Sequence, residues 1–337
     1  MQRYTMVKLD MVTGMVNLLP QEERIETILL VVFGIVILAF LVVDLGVFQR
    51  HAHKVSTRSA LWQSIFWVVV SLIFAVLILI FLDREMAGTF LLAYITEKAL
   101  SIDNIFVWLV LLKYFRISDK FHHKILFYGV IGAIFFRAVF ITAGFYLIEK
   151  FHWILYVFGA ILIYSGIKLL RSRGESYDPE SSWVYRILTK YFRFVPNHGS
   201  SDFFHKENGR WYITTIFLTL IMVETTDIVF AVDSIPAVFA ISQDKFVVYT
   251  SNIFAILGLR AMFFLVSGVI DKFKYLQYGL SLVLIFIGLK MFAELFDIKV
   301  PVWLSLTMVL GVITISIVAS MVIKNGSENK PSSRDEA

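Results

Sequence analysis

Lipid offers the backbone no hydrogen-bond partners. A segment that crosses it must pair its own N–H and C=O groups, and a helix of about 20 apolar residues does so. The stretch from Leu61 to Leu82 is of this kind and contains no charged side chain. Eight others resemble it in length and polarity, giving a set at approximately 27–48, 61–82, 90–113, 125–148, 153–170, 213–241, 248–270, 275–296 and 301–323. Composition agrees: 58% of the 337 residues are hydrophobic and 17% charged, against about 45–50% and 25% in soluble domains. The expected fold is an all-α polytopic membrane protein with about nine transmembrane helices.

The loops fix an orientation. Arg3, Lys8, Arg24, Arg84, Lys150, Lys245 and Lys299 fall on one side. The other holds Arg50, Lys54, Arg58, Lys113, Arg116, Lys120, Lys124, the basic residues from Lys168 to Arg210, and those at 272, 274, 324, 330 and 334. The excess lies on the second side, so the positive-inside rule predicts an outside N-terminus and a cytoplasmic C-terminus. Residues 1–26 form an extracytoplasmic segment without the pattern of a cleaved signal. Residues 27–323 form the transmembrane domain, and 324–337 a polar cytoplasmic tail that reads as disordered. In the long cytoplasmic loop 171–212, Trp183, Val184, Ile187, Leu188 and Tyr191 recur at helical spacing and predict an amphipathic helix on the membrane surface. An Asn208-Gly209 pair between aromatic arms predicts a hairpin. The net charge of +5 is spread by topology rather than gathered in one patch, so nucleic acid is not an expected partner and the lipid bilayer is. The chain has no cysteine, which excludes disulfides, thiolate metal sites and dithiol chemistry of its own.

Against this apolar background, Glu224, Asp227 and Asp233 lie within ten residues in the middle of the sixth stretch. A carboxylate at the bilayer centre costs at least ~2.5–3.5 kcal/mol, so such acids mark ion or proton pathways. The third stretch carries Glu97 and Asp103, the latter roughly 15 Å from Lys113 at the cytoplasmic edge. Asp44, near the inner end of the first, either joins them or sits at the interface.

The two acidic stretches look alike. Glu97 is followed six residues later by Asp103-Asn104-Ile105, and Asp227 by Asp233-Ser234-Ile235. Downstream, Arg137-Ala138 matches Arg260-Ala261, and Glu149-Lys150-Phe151 matches Asp271-Lys272-Phe273. Gly166 and Lys168 match Gly288 and Lys290. The spacing predicts two inverted three-helix repeats, approximately 90–170 and 213–296, a plan that recurs in secondary transporters. Six residues turn a helix by about 600°, so each acid pair would converge only if its helix were interrupted. Pro236 predicts a break in the sixth helix near Asp233.

The expected cation ligands are Glu97, Asp103, Asn104, Glu224, Asp227, Asp233 and Ser234, with Asp44 in doubt, and Arg137 and Arg260 as charge partners. An all-oxygen set suits Mg²⁺, Ca²⁺ or Mn²⁺. The competing reading is a structural network: Glu97 and Asp103 paired with Arg137 and Lys98, and Glu224, Asp227 and Asp233 neutralising Arg260. Lys168 and Lys290 are expected to snorkel, and His51, His53, His122 and His123 to be solvated loop residues. No Walker loop is present, so uphill movement would draw on an ion gradient. An intramembrane aspartyl protease would need a Gly-x-Gly-Asp element that is missing. No enzymatic activity and no permanently bound cofactor are expected, and homo-oligomeric assembly is left open.

Three motifs carry a family resemblance: Glu97-Lys-x-Leu-Ser-x-Asp103-Asn-x-Phe, Val223-Glu224-x-x-Asp227-x-x-Phe-Ala-x-Asp233-Ser-x-Pro-Ala, and Thr250-Ser-Asn-x-Phe-Ala-Ile-Leu-Gly-Leu-Arg260-Ala-Met. Over residues 30–323 the chain resembles the TerC family, in particular its Alx-like bacterial branch. The resemblance implies an inner-membrane secondary transporter exporting divalent cations, with Mn²⁺ preferred over Ca²⁺. It also implies links to tellurite resistance and to alkaline or redox stress. The alternative is a non-transporting stress-response or interaction protein that works through its cytoplasmic loop.

Overall fold

The computed structural model describes residues 25, 28, 29, 31–35, 37, 57–171, 182–192, 194–195, 202–207, 210–267, 275–293, 296, 298 and 300–324. Most of the expected first helix, Asp44, His51, His53 and the C-terminal tail lie outside this set. The elements in chain order are α1 (Thr57–Phe81), α2 (Arg84–Tyr114), α3 (Asp119–Lys150), α4 (Ile154–Arg171), α5 (Trp183–Tyr191), β1 (Phe194–Val195), β2 (Phe204–Glu207) and β3 (Arg210–Thr214). They continue as α6 (Thr215–Ile241), α7 (Lys245–Leu257), α8 (Leu259–Ser267), α9 (Leu276–Ala293) and α10 (Val302–Lys324).

The chain is a multi-pass membrane protein, all-α apart from one small sheet, but the count of nine spans does not hold. Among the described residues five helices are long and apolar enough to cross a membrane: α1, α3, α4, α6 and α10. A sixth is gained if α7 and α8 count as one span bent by 41°. The shortfall has physical causes. α2 carries Arg84, Glu85, Glu97, Lys98 and Asp103 along its length, the apolar stretch of α9 runs only from Gln277 to Ala293, and most of the first expected helix lies outside the described residues. Two matched three-helix repeats are not found either. α3 is a single helix of 32 residues, whereas the segment expected to mirror it is divided into helices of 13 and 9 residues.

Helix starts are set by side-chain caps. Asp83 accepts from the Met86 N–H at 2.8 Å, and Asp244 accepts from Val247 at the same distance. Each satisfies an orphan donor of a first turn. At α6 the sheet does the positioning. β3 pairs parallel to β1 and antiparallel to β2, with Lys206 opposite Trp211, and it runs directly into α6 with Thr214 as cap. α5 turns Val184 and Leu188 into the core formed with α2, α3, α6 and α8. Its Trp183 and Tyr191 remain exposed.

Three local expectations are corrected. α6 is unbroken from Thr215 to Ile241 with Pro236 inside it. Residues 234–241 are buried along this turn, and packing on neighbouring helices keeps the backbone helical where proline alone would interrupt it. Lys290 does not snorkel. It is 8% exposed and its Nζ donates to the Ala240 carbonyl at the end of α6, at 3.4 Å. His122 and His123 sit in the first turns of α3 rather than in a loop.

α2 lies at the centre, against α1, α6, α7 and α10, while α3 packs on α6 and α4 packs on α9. The α2–α3–α6–α7 contact brings the buried polar side chains together.

Candidate functional site

Arg137, in the middle of α3, is 1% exposed and reaches three helices. Its Nη1 donates to Glu97 Oε2 on α2, and to Asn252 Oδ1 on α7 at 2.9 Å. Its Nε stands 4.0 Å from Asp227 Oδ2 on α6. Asn104, seven residues after Glu97 and therefore on the same face of α2, donates from Nδ2 to Asp227 Oδ1 at 3.1 Å. Glu97, Asn104, Asp227 and Asn252 are all nearly inaccessible. One guanidinium thus serves two carboxylates and an amide, and its planar fork of donors suits it to that task.

The network is incompletely satisfied. Glu97 Oε1, Arg137 Nε, Asp227 Oδ2, Glu224 Oε2, Asn252 Nδ2 and Thr96 Oγ1 are buried without a hydrogen-bond partner. Buried polar atoms are paired in the great majority of cases, so this cluster is unusual.

Glu224 lies one turn before Asp227 on α6 and is half-buried. Its carboxylate rests on Gly132 of α3, in the space that a Cβ at that position would occupy. Gly132→Ala is therefore expected to swing the Glu224 carboxylate aside while leaving the Arg137 network in place. A carboxyl-specific infrared difference band, lost in Glu224→Gln, should shift in Gly132→Ala.

The expected ligand set does not gather at one point. Glu97, Asn104 and Asp227 come together on Arg137. Asp233 lies elsewhere, accepting from Ser165 Oγ of α4 at 2.5 Å. Ser234 is buried with its hydroxyl unpartnered. Arg260 is the second residue of α8 and partly buried. Asp103 is on α2, with its side chain outside the described set. Among the described residues no three His, Cys, Asp or Glu side chains form a metal-holding group. Sequence reasoning gave no role to Asn252, Ser165 or Gly132. The polar triplet Thr250-Ser251-Asn252 inside an apolar helix was the available signal for the first, because polar residues in membrane helices tend to bond across helices.

All of these residues fall within residues 82–328, which match the Integral membrane protein TerC family. The chain belongs to the TerC family. This TerC chain is 41% identical over 295 residues to an uncharacterized membrane protein of Rickettsia bellii, covering 88% of this chain and 97% of the relative. It is also 41% identical over 307 residues to the putative membrane-bound redox modulator Alx of Salmonella typhi, covering 88% and 95%. With the protein of the same name from Escherichia coli it shares 39% identity over 295 residues, covering 85% and 92%. No solved structure matches it.

Proposed function

We propose that the chain is a stress-response protein of the inner membrane that modulates cellular redox state; its Salmonella and Escherichia relatives are named putative membrane-bound redox modulators. Near-complete coverage of those relatives is the observation that carries this reading. The chain has no cysteine, so a redox effect has to be indirect, exerted on a partner or on the ion content of the cell. With the N-terminus outside and the C-terminus cytoplasmic, residues 171–212 face the cytoplasm. Trp183, Tyr191 and Trp211, each exposed, then offer a contact surface to a soluble partner.

A second reading, export of a divalent cation, is favoured by Glu224. This half-buried carboxylate on a spanning helix is in no ion pair among the described residues, and it borders a network with further unmatched oxygens. Hard divalent cations take such oxygen donors, and the family resemblance favours Mn²⁺ as cargo.

Flux of ⁵⁴Mn into everted vesicles, with and without a pH gradient, separates the two. Export predicts metal accumulation that Glu224→Gln abolishes at unchanged membrane levels of the protein. The partner reading predicts no flux. It also predicts that deleting the protein shifts the cytosolic thiol–disulfide balance, that the Trp183→Ala/Trp211→Ala variant fails to restore it, and that Glu224→Gln restores it.

A further inference from the structure

Lys98 follows Glu97 on α2 but takes no part in the Arg137 network. Its side chain runs to the junction of α7 and α8, where Nζ donates to the Ala255 carbonyl at 2.8 Å. The ring of Tyr94, one turn earlier on α2, lies 5.9 Å from the same atom. Among the described residues Lys98 forms no ion pair.

The junction is shaped to receive an ammonium. α7 ends at Leu257 and α8 starts at Leu259, with a 41° bend between them. The last carbonyls of a helix have no donors within it and carry partial negative charge. Here they are enclosed, with Ala255, Ile256 and Leu257 fully buried; the Ile256 carbonyl accepts from the Gly258 N–H, and the Ala255 carbonyl accepts from Lys98. A Cβ at Gly258 would fall 2.5 Å from Lys98 Nζ and 3.2 Å from Trp67 Cβ of α1. The absent side chain at Gly258 is therefore what makes room for the cation. Adjacent residues of α2 hold α7 by different means: Lys98 bonds it directly, and Glu97 reaches Asn252 through Arg137.

We propose that Lys98 is a tethered cation: its ammonium fills a monovalent-cation position built by the carbonyl end of α7, and so holds the bend between α7 and α8. The position accepts a free primary ammonium when the side chain is cut back. Lys98 is a positioning residue, acting on α7 and through it on Asn252.

Hydrogen exchange on the full chain in lipid nanodiscs tests this. Lys98→Ala should speed exchange at the amides around Gly258 and Met262 by roughly tenfold, the loss of about one charge-assisted hydrogen bond, while α10 is unaffected. Propylammonium replaces the atoms removed and should restore slow exchange; propanol, its neutral counterpart, should not. Unchanged exchange in Lys98→Ala, equal rescue by propanol, or no rescue by propylammonium would each overturn the proposal. If Lys98→Ala does not fold, Gly258→Ala decides. It keeps the lysine but drives Nζ from Ala255, so it should speed exchange over the same amides, and unaltered exchange there would sink the idea.

Discussion

Replacing Arg137 by leucine is expected to destabilise the fold by about 3–5 kcal/mol, the cost of removing one partner from a buried ion pair. The side chain is 1% exposed and is the described cation paired with Glu97 and standing beside Asp227. Its loss would leave Glu97 and Asp227 as uncompensated carboxylates and Asn252 Oδ1 without its donor. Arg137→Lys keeps the charge but cannot serve Glu97, Asn252 and Asp227 from one planar group, so its loss should be smaller but distinct. Pairing Arg137→Leu with Glu97→Leu should recover at least ~1 kcal/mol of the deficit, because the worst-placed unpaired charge is removed with its partner. Unfolding in mixed micelles, read as a double-mutant cycle, measures each quantity. Additive losses would mean that the Arg137–Glu97 contact contributes nothing of its own.

Arg137 also changes how the acids count toward function. By sequence, Glu97, Asp103, Glu224, Asp227 and Asp233 outnumber Arg137 and Arg260 and form one excess of negative charge. In the fold, Glu97 and Asp227 share a resident cation, and Asp233 instead bonds Ser165 on α4. Among those acids whose side chains are described, Glu224, over Gly132, is the one left to meet an external ion without first displacing a protein group. Glu224 is therefore the acid at which the export reading is tested, because neutralising Glu97 or Asp227 would confound stability with transport.

What could be read from the sequence was set by range. α1 and α10 follow from apolar length alone, since lipid forces such stretches to satisfy their own backbones. Glu97, Asp227 and Arg137 stand out one by one as charges in apolar surroundings. Their mutual arrangement does not: Asp227 meets Arg137 rather than Arg260 because α6 packs on α2 and α3, and no local pattern encodes that choice. The likeness between the two acidic stretches suggested matched halves, yet α3 is continuous where α7 and α8 are divided. Pro236 and Gly258 show why break signals mislead. Proline lacks a donor, but buried surroundings on α6 hold its turn helical. Glycine is weak by propensity alone, and at Gly258 it stands at the division between α7 and α8, with Lys98 and Trp67 in the space beside it.

The largest purely steric effect is expected where α4 crosses α9. A Cβ on Gly288 would fall 2.8 Å from the Gly159 carbonyl and 2.8 Å from Ile163 Cγ1. One on Gly166 would fall 2.8 Å from the Ser281 carbonyl and 2.7 Å from Ile285 Cγ1. Carbonyl oxygens cannot rotate out of the way as a side chain can, so the helices themselves must part. Small residues at such crossings allow backbones to approach, and dispersion between them replaces a hydrophobic drive that lipid does not supply. Gly288→Ala should cost about 1–3 kcal/mol, and Gly288→Leu more. Gly166→Ala and Gly288→Ala together should cost less than the sum of their separate effects, because the first separation makes room for the second. A Cβ on Gly311 of α10 would meet no atom within 4 Å, so Gly311→Ala should be neutral or stabilising by up to ~1 kcal/mol, as expected for an open helical site. Loss of stability in Gly311→Ala equal to that in Gly288→Ala would show that glycine flexibility, rather than close approach, governs both positions.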